Sequence, residues 1–288
     1  MTRVLHLSDT HFGTEREPVV QALLALAGAL RPDLVLLGGD ITQRARRGQF
    51  AAARRFVQAL QRPVLAVPGN HDIPLFNLAA RLLDPYGGYR RALGAVLEPV
   101  VETDGLLAIG VNTTRPGRHK NGQVSPGQVV RVAQRLREAG PGCLRIVLLH
   151  HPVRAAVDSD QANLLIGRDV AVPAWVDAGV DLILGGHIHL PYILPVHGAA
   201  GPRPRQAWTI QAGTAVSRRV RGGISNSVNV IDHLLDNGRH QCSAQRWDYS
   251  TEAGEFRRAA TRMLDLHRAD PVSSPWKPSP PGLPPTRS

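Results

Sequence analysis

Cysteine is almost missing from this chain: Cys143 and Cys242 are the two in 288 residues, far apart and without C-x-x-C spacing. Neither a disulfide framework nor a zinc–thiolate site is therefore implied, and both residues are expected as buried small apolar side chains. No apolar run of membrane length occurs either. The longest, around Val19 to Leu30, is interrupted by Gln21 and too short to span a bilayer. Met1-Thr2-Arg3 leads straight into an apolar strand, so no secretory signal is expected and the chain reads as cytoplasmic. There is no internal repeat. Acidic residues are the minority, 23 Asp plus Glu against 34 Lys plus Arg, for a net charge of +11. This balance favours anionic partners in general. An arginine-rich, alanine-rich composition also arises from genome bias, so nucleic acid is a possible partner and not the favoured one.

What remains is ordinary globular composition, 43% hydrophobic and 20% charged, in a length that suits one large domain or two small ones. The organising stretch is Val64-Leu65-Ala66-Val67-Pro68-Gly69-Asn70-His71-Asp72, a short apolar run ending in a polar, glycine-containing turn. The same event recurs four times. Val4–Ser8 ends in Asp9-Thr10-His11, Leu34–Gly39 in Asp40, Arg145–Leu149 in His150-His151, and Leu182–Gly186 in His187-Ile188-His189. Between them, Pro18–Leu30 and Gly48–Leu60 have helical spacing, so the chain to residue 72 reads β-α-β-α-β with parallel strands. In open α/β sheets ligands bind at the strands' carboxyl ends, where these polar turns fall.

Further on, Phe76–Leu83 reads as a short helix, Leu106–Val111 as a strand, and 112–124 as a long polar loop holding Arg115, Arg118, His119 and Lys120. Ser125-Pro126 opens a helix to about Ala139, and a short helix is expected near Val172 to Ala178. Tyr192–Val196, Gln206–Ala212, Ser227–Leu234 and Gln241–Trp247 read as antiparallel additions to a second sheet, and Glu252–His267 as a final helix. Residues 1–268 are expected as one domain, with 269–288 a proline-rich disordered tail.

The strand-end set Asp9, His11, Asp40, Asn70, His150, His187 and His189 mixes carboxylate, amide and imidazole without thiolate. That chemistry suits Mn, Fe, Zn or Ni, and the set is too large for one ion with open positions. Two ions roughly 3.5–4 Å apart, sharing a carboxylate, clamp a phosphoryl displacement and generate hydroxide at neutral pH. For His6, His197, His233, His240 and His267 a core or surface role is expected, for His151 a supporting one, and for Asp72 a turn-fixing acceptor. Of Arg44, Arg46 and Arg47, any could reach a phosphate, and at least two are expected on the solvated start of a helix.

Five motifs, Asp9-x-His11, Gly39-Asp40, Gly69-Asn70-His71-Asp72, His150 and Gly186-His187-x-His189, resemble in order the calcineurin-like metallophosphoesterases over residues 3 to 192. The resemblance implies an α/β fold of two mixed sheets packed as a sandwich flanked by helices. It implies Asp9, His11, Asp40 and His189 on one ion, and Asp40, Asn70, His150 and His187 on the other, with Asp40 as the bridge. His71 would face the substrate as catalytic residue, stabilising phosphoryl oxygens or protonating the departing alkoxide. The motifs depart from the protein phosphatases, which carry Asp-Arg-Gly and Asn-His-Glu, and from the lipid A precursor hydrolases, which have Arg where His71 stands. They are most similar to bacterial class III cyclic-nucleotide phosphodiesterases. The implied activity is hydrolysis of a small phosphodiester such as a cyclic nucleotide by a metal-bound hydroxide. A DNA or RNA nuclease, a phosphomonoesterase and a scaffold without catalysis are the alternatives, the last disfavoured because every ligand and His71 are kept.

Overall fold

The computed structural model describes residues 1–202 and 204–268; the expected proline-rich tail, 269–288, lies outside the described residues. In chain order the elements are β1 (Thr2–Leu7), α1 (Glu17–Leu30), β2 (Leu34–Leu37), α2 (Arg47–Ala59), β3 (Val64–Ala66), α3 (Leu78–Leu83), α4 (Gly87–Leu93), β4 (Val100–Thr103) and β5 (Leu106–Gly110). They continue with α5 (Pro126–Glu138), β6 (Leu144–Leu148), α6 (Arg168–Asp177), β7 (Leu182–Gly185), β8 (Tyr192–His197), β9 (Gln206–Gln211), β10 (Ser227–Asp236), β11 (Arg239–Ser250) and β12 (Glu255–Leu264).

Two six-stranded mixed sheets result, ordered β12-β11-β10-β1-β2-β3 and β4-β5-β6-β7-β9-β8. Alternation along each strand divides the apolar side chains between two faces. Val4, Leu36, Ile146, Leu148, Leu184 and Ile231 fill the space between the sheets. Leu5, Leu7, Val35 and Leu37 face outward with Leu23, Phe50 and Phe56 from α1 and α2, while Ile109, Val147 and Ile183 do so with Val132, Leu136 and Trp175 from α5 and α6. Strands β1, β2 and β3 run parallel, as do β5, β6 and β7. The turns that follow β1, β2, β3, β6 and β7 therefore meet at one end of the sandwich. At α5, Ser125 accepts from the Gln128 amide while Gln128 Oε1 accepts from the Ser125 amide, a capping box with proline in the first turn.

Two expectations are corrected. The segment 252–267 is not a helix: β12 pairs antiparallel with β11 from Cys242↔Leu264 to Ser250↔Glu255. Its Arg, Ala, Met and Leu residues favour helix intrinsically, but the unsatisfied edge of β11 supplies a ladder of backbone hydrogen bonds that local propensity does not match. The strand is exposed except at Phe256 and Leu264, and Arg257, Arg258 and Arg262 stand along this outer edge, where charge discourages further pairing. Nor do the late strands join one sheet by antiparallel pairing. β9 lies parallel to β7 in the second sheet, whereas β10 and β11 extend the first through antiparallel pairing of β10 with β1. Two elements, α4 and β4, arise where no periodic signal stood.

His233, on β10, is 2% exposed, and its Nε2 lies 2.9 Å from His240 Nδ1 on β11. Burial, with His240 beside it, pushes its pKa down to about 4. An unfolded histidine takes a proton near 6.5, so His233 contributes full stability above that pH and loses it as pH falls toward about 4. Urea melts should show stability falling by up to about 1.4 kcal/mol per pH unit in that window from this group, and His233→Gln should flatten that part of the profile.

Candidate metal centre

The convergence begins in strained turns. Among the described residues, the non-glycine positions with positive φ include Asp9 (55°), His11 (43°), Asp40 (48°), His187 (74°) and His189 (59°). L-residues adopt this region at a cost that surrounding structure must cover, and such strain concentrates at functional sites. The turns hold one another in place: the Asp9 amide donates to Gly39 O (3.1 Å), His11 to Asp40 O (3.0 Å) and Gly186 to His150 O (2.9 Å). Close approach requires glycine at two points. A Cβ on Gly69 would stand 2.0 Å from the Asp40 amide nitrogen, and one on Gly186 would stand 2.3 Å from Asp9 Oδ2.

Asp9, His11, Asp40 and His189 present ligand atoms within 4.8 Å of one another. His189 Nε2 is 3.1 Å from Asp9 Oδ1 and 3.1 Å from His11 Nε2, which is itself 3.8 Å from Asp40 Oδ2. The His189 Nδ1–H donates to Arg219 O at 2.6 Å, so a neutral ring turns its Nε2 lone pair toward His11. On the other side of Asp40, His150 donates from Nδ1 to Gly38 O (2.7 Å) and turns Nε2 to Asp40 Oδ1 at 3.3 Å, with His187 Nδ1 also 3.3 Å away. Asn70 Oδ1, Asp9 Oδ1 and His187 Nε2 are buried without a hydrogen-bond partner. Lone pairs facing lone pairs and orphaned oxygens in so small a space fit a cation between them. The donor set therefore fits metal ions.

The charge balance agrees. Burial alone would raise Asp40, but His150 and His71 hold its carboxyl well below the usual carboxylate range; His189 and His11 do the same for Asp9. For His150 burial acts against the charged form, yet Asp40 outweighs it and pushes the imidazole up to about 9. Burial and neighbouring His150 push His187 down to about 3. Without an ion, a proton on His150 answers the demand for positive charge that the two carboxylates create, and a cation held there would displace it.

His71 takes a separate position. Its amide donates to Asp40 Oδ1 (2.8 Å), its Nδ1–H donates to Gln43 O (2.8 Å), and its Nε2 faces a cleft of about 460 Å³. Gln43, Arg44, His119, Lys120 and Arg219 line the same cleft. Arg219 NH1 lies 3.2 Å from His71 Nε2, 3.4 Å from Gln43 Oε1 and 3.5 Å from His11 Nε2, a guanidinium at the centre of the site. Sequence reasoning missed it. Arg219 sits in an aperiodic loop thirty residues after His189, and its proximity rests on β9 and β10 joining different sheets. Of the arginines after Asp40, Arg44 reaches the cleft, while Arg46 and Arg47 stand exposed at the start of α2. In the 112–124 loop, Arg115 instead turns back to Asn112 O, Thr114 O and Gln128 Oε1.

His151 lies close to His150 and His187, but both its ring nitrogens are used, Nδ1 with Thr113 Oγ1 at 2.8 Å and Nε2 with Lys120 O at 2.9 Å. It supports the wall and is not available as a ligand. His6 is fully buried on β1. Asp72 accepts from the amides of Ile41 (3.1 Å), Thr42 (2.8 Å) and Gly69 (2.9 Å), tying the Asp40 turn to the Asn70 turn. Burial and the nearby Asp40 charge push it up to about 6 against those donors. Replacing Asp72→Asn turns an amide NH₂ on donors and should cost about 1–3 kcal/mol, read as a lower midpoint in denaturant melts.

A sequence profile described as calcineurin-like phosphoesterase matches residues 2–191. A probable cyclic nucleotide phosphodiesterase of Rhodococcus erythropolis is 27% identical, over 92% of this chain and 94% of that protein. A cAMP/cGMP dual specificity phosphodiesterase of Mycobacterium tuberculosis is 32% identical, over 73% of this chain and 70% of the other. In structure, a purple acid phosphatase from yellow lupin seeds superposes with a TM-score of 0.60 at 11% identity, over 90% of this chain and 53% of that one, a likeness of fold alone. With the strand-end turns gathered around Asp40 and the profile spanning them, the chain belongs to the calcineurin-like phosphoesterase family.

Proposed function

We propose that this chain is a metal-dependent phosphodiesterase of the cytoplasm, its residues 1–268 serving as one domain, that hydrolyses a small phosphodiester such as a cyclic nucleotide. The observation that carries the reading is the pair of ligand clusters meeting at Asp40 on the floor of an arginine-lined cleft. Two relatives with substantial coverage support it, one named a probable cyclic nucleotide phosphodiesterase and one a cAMP/cGMP dual specificity phosphodiesterase. In this reading Asp9, His11, Asp40 and His189 hold one ion and Asp40, Asn70, His150 and His187 the other, each Mn, Fe, Zn or Ni. When bound, the ions supply Lewis acidity to the phosphoryl oxygens and a nucleophile at neutral pH.

The chain's own groups do the rest. Gln43 O holds the His71 Nδ1–H, so Nε2 is turned to the cleft, where this reading puts the scissile phosphate. In this reading the ring enters the step as imidazolium, its Nε2–H would pass to the leaving oxygen as the phosphorus–oxygen bond breaks, and the neutral ring left behind would turn its Nε2 lone pair to Arg219. Arg219 is held by His71 and Gln43 with donors to spare, and opposes the charge that develops on the phosphoryl oxygens. Lys120 and Arg44 attract the anion into the cleft.

Protein loaded with Mn²⁺ should cleave bis(p-nitrophenyl) phosphate; absence of turnover with every one of Mn, Fe, Ni, Co and Zn would overturn the assignment. His71→Ala should lower kcat about 10²–10⁴-fold. Arg219→Ala should lower kcat/KM by about 10²-fold, with partial recovery in Arg219→Lys. Binding can be read without turnover. Added Mn²⁺ should raise the Tm of the chelator-treated protein through mass action, and Asp40→Asn, which weakens both clusters, should remove most of that rise.

A further inference from the structure

Helix α3 is built inside out. Arg81 is 7% exposed and donates to Pro74 O (3.0 Å) and Arg118 O (2.9 Å), whereas Leu78, Leu82 and Leu83 are 65%, 82% and 87% exposed. Phe76, just before the helix, is 77% exposed. Four large apolar side chains within eight residues turned to water form a patch that soluble surfaces seldom leave uncovered.

The surroundings say what covers it. Residues 41–97 hold nine arginines and two aspartates. Of the aspartates, Asp72 is buried and Asp84 is already beside Arg90 (3.3 Å) and Arg91 (4.0 Å). The Arg44 guanidinium stands 5.6 Å from the centre of the Phe76 ring, and Arg44, Arg46, Arg47 and Arg91 share a groove of about 450 Å³ with Phe76 and Ala80 of α3. A second copy related by a two-fold axis would bring these arginines against their equivalents. Nucleic acid would use the arginines and leave the leucines wet. An anionic bilayer satisfies both, with leucine and phenylalanine in the acyl boundary and guanidiniums among the headgroups.

We propose that the α3 face docks on anionic lipid surfaces. Leu75, next to Phe76, lines the catalytic cleft, so docking brings the cleft beside the headgroup layer. The docking is peripheral: among the described residues no helix is long and apolar enough to cross a membrane.

The test is co-sedimentation of the full chain with vesicles of phosphatidylcholine alone or mixed equally with phosphatidylglycerol. The protein should pellet with the mixed vesicles and stay in the supernatant with neutral ones. Leu82→Ser/Leu83→Ser should reduce the bound fraction about tenfold or more, and Arg46→Glu/Arg47→Glu should reduce it comparably, both with unchanged melting and turnover of bis(p-nitrophenyl) phosphate. Phe76→Ser, in the segment before the helix, repeats the apolar test should the leucine pair disturb folding. The proposal is overturned by no pelleting with phosphatidylglycerol, by pelleting indifferent to the apolar substitutions, or by light scattering that shows a dimer dissolved by Leu82→Ser/Leu83→Ser. Vesicle binding needs no catalysis, so its outcome is separate from that of the phosphodiesterase reading.

Discussion

Asp40 puts a carboxylate at 2% exposure between two groups of imidazoles, with Asp9 fully buried nearby, and this concentration of negative charge conditions everything around it. Isolated carboxylates in an apolar interior cost many times the net stability of a domain. They persist because His11 and His189 stand on one side and His150 on the other, because amides of His71 and His187 donate to them, and because the geometry accepts cations. The cost appears also in the backbone. Asp9, His11, Asp40, His187 and His189 are held in a conformation that isolated residues avoid.

Rigid strands make that strain bearable. The carboxyl-terminal residues of β1, β2 and β3 in one sheet and of β6 and β7 in the other are buried, so these ends are fixed by packing on both faces. The rim is different in kind. Gln43, Lys120 and Arg219 come from loops, and these loops are pinned by hydrogen bonds to one another instead of by a core. Arg221 pairs with buried Asp160 at 2.8 Å and with Ile188 O at 3.0 Å, and His151 carries the Lys120 carbonyl. A floor fixed by strand packing carries the ligand atoms and a rim of hydrogen-bonded loops carries the cationic side chains, the division expected when sites are built at strand ends.

Helix α3 and strand β12 show the reach of local reading, which finds the helix but not its buried side in the first and misses the element type in the second. The leucines of α3 look like the buried face of an amphipathic helix, yet the buried residue is Arg81, because Pro74 O and Arg118 O offer it hydrogen bonds. In β12 the helix-favouring side chains are nearly all exposed, so nothing packs them as a helix, and the β11 edge decides the outcome. In α3 the helix forms as expected and only the choice of buried face departs from the pattern, whereas in β12 a partner distant in sequence outweighs a propensity of a few tenths of a kcal/mol per residue.

By itself the sequence determined the strands that end in Asp, Asn and His, the parallel β-α-β order of the first seventy-two residues, and the capping of α5. These follow from side-chain periodicity and turn chemistry, which act over a few residues and are written locally. It also marked Asp72 as an acceptor within its turn. Only the tertiary structure decided that β9 and β10 part to different sheets, and with that separation came the position of Arg219 against His71. The reason is physical: which edge a late strand joins depends on unpaired backbone groups and apolar faces left by the rest of the chain, and no residue of the strand records them.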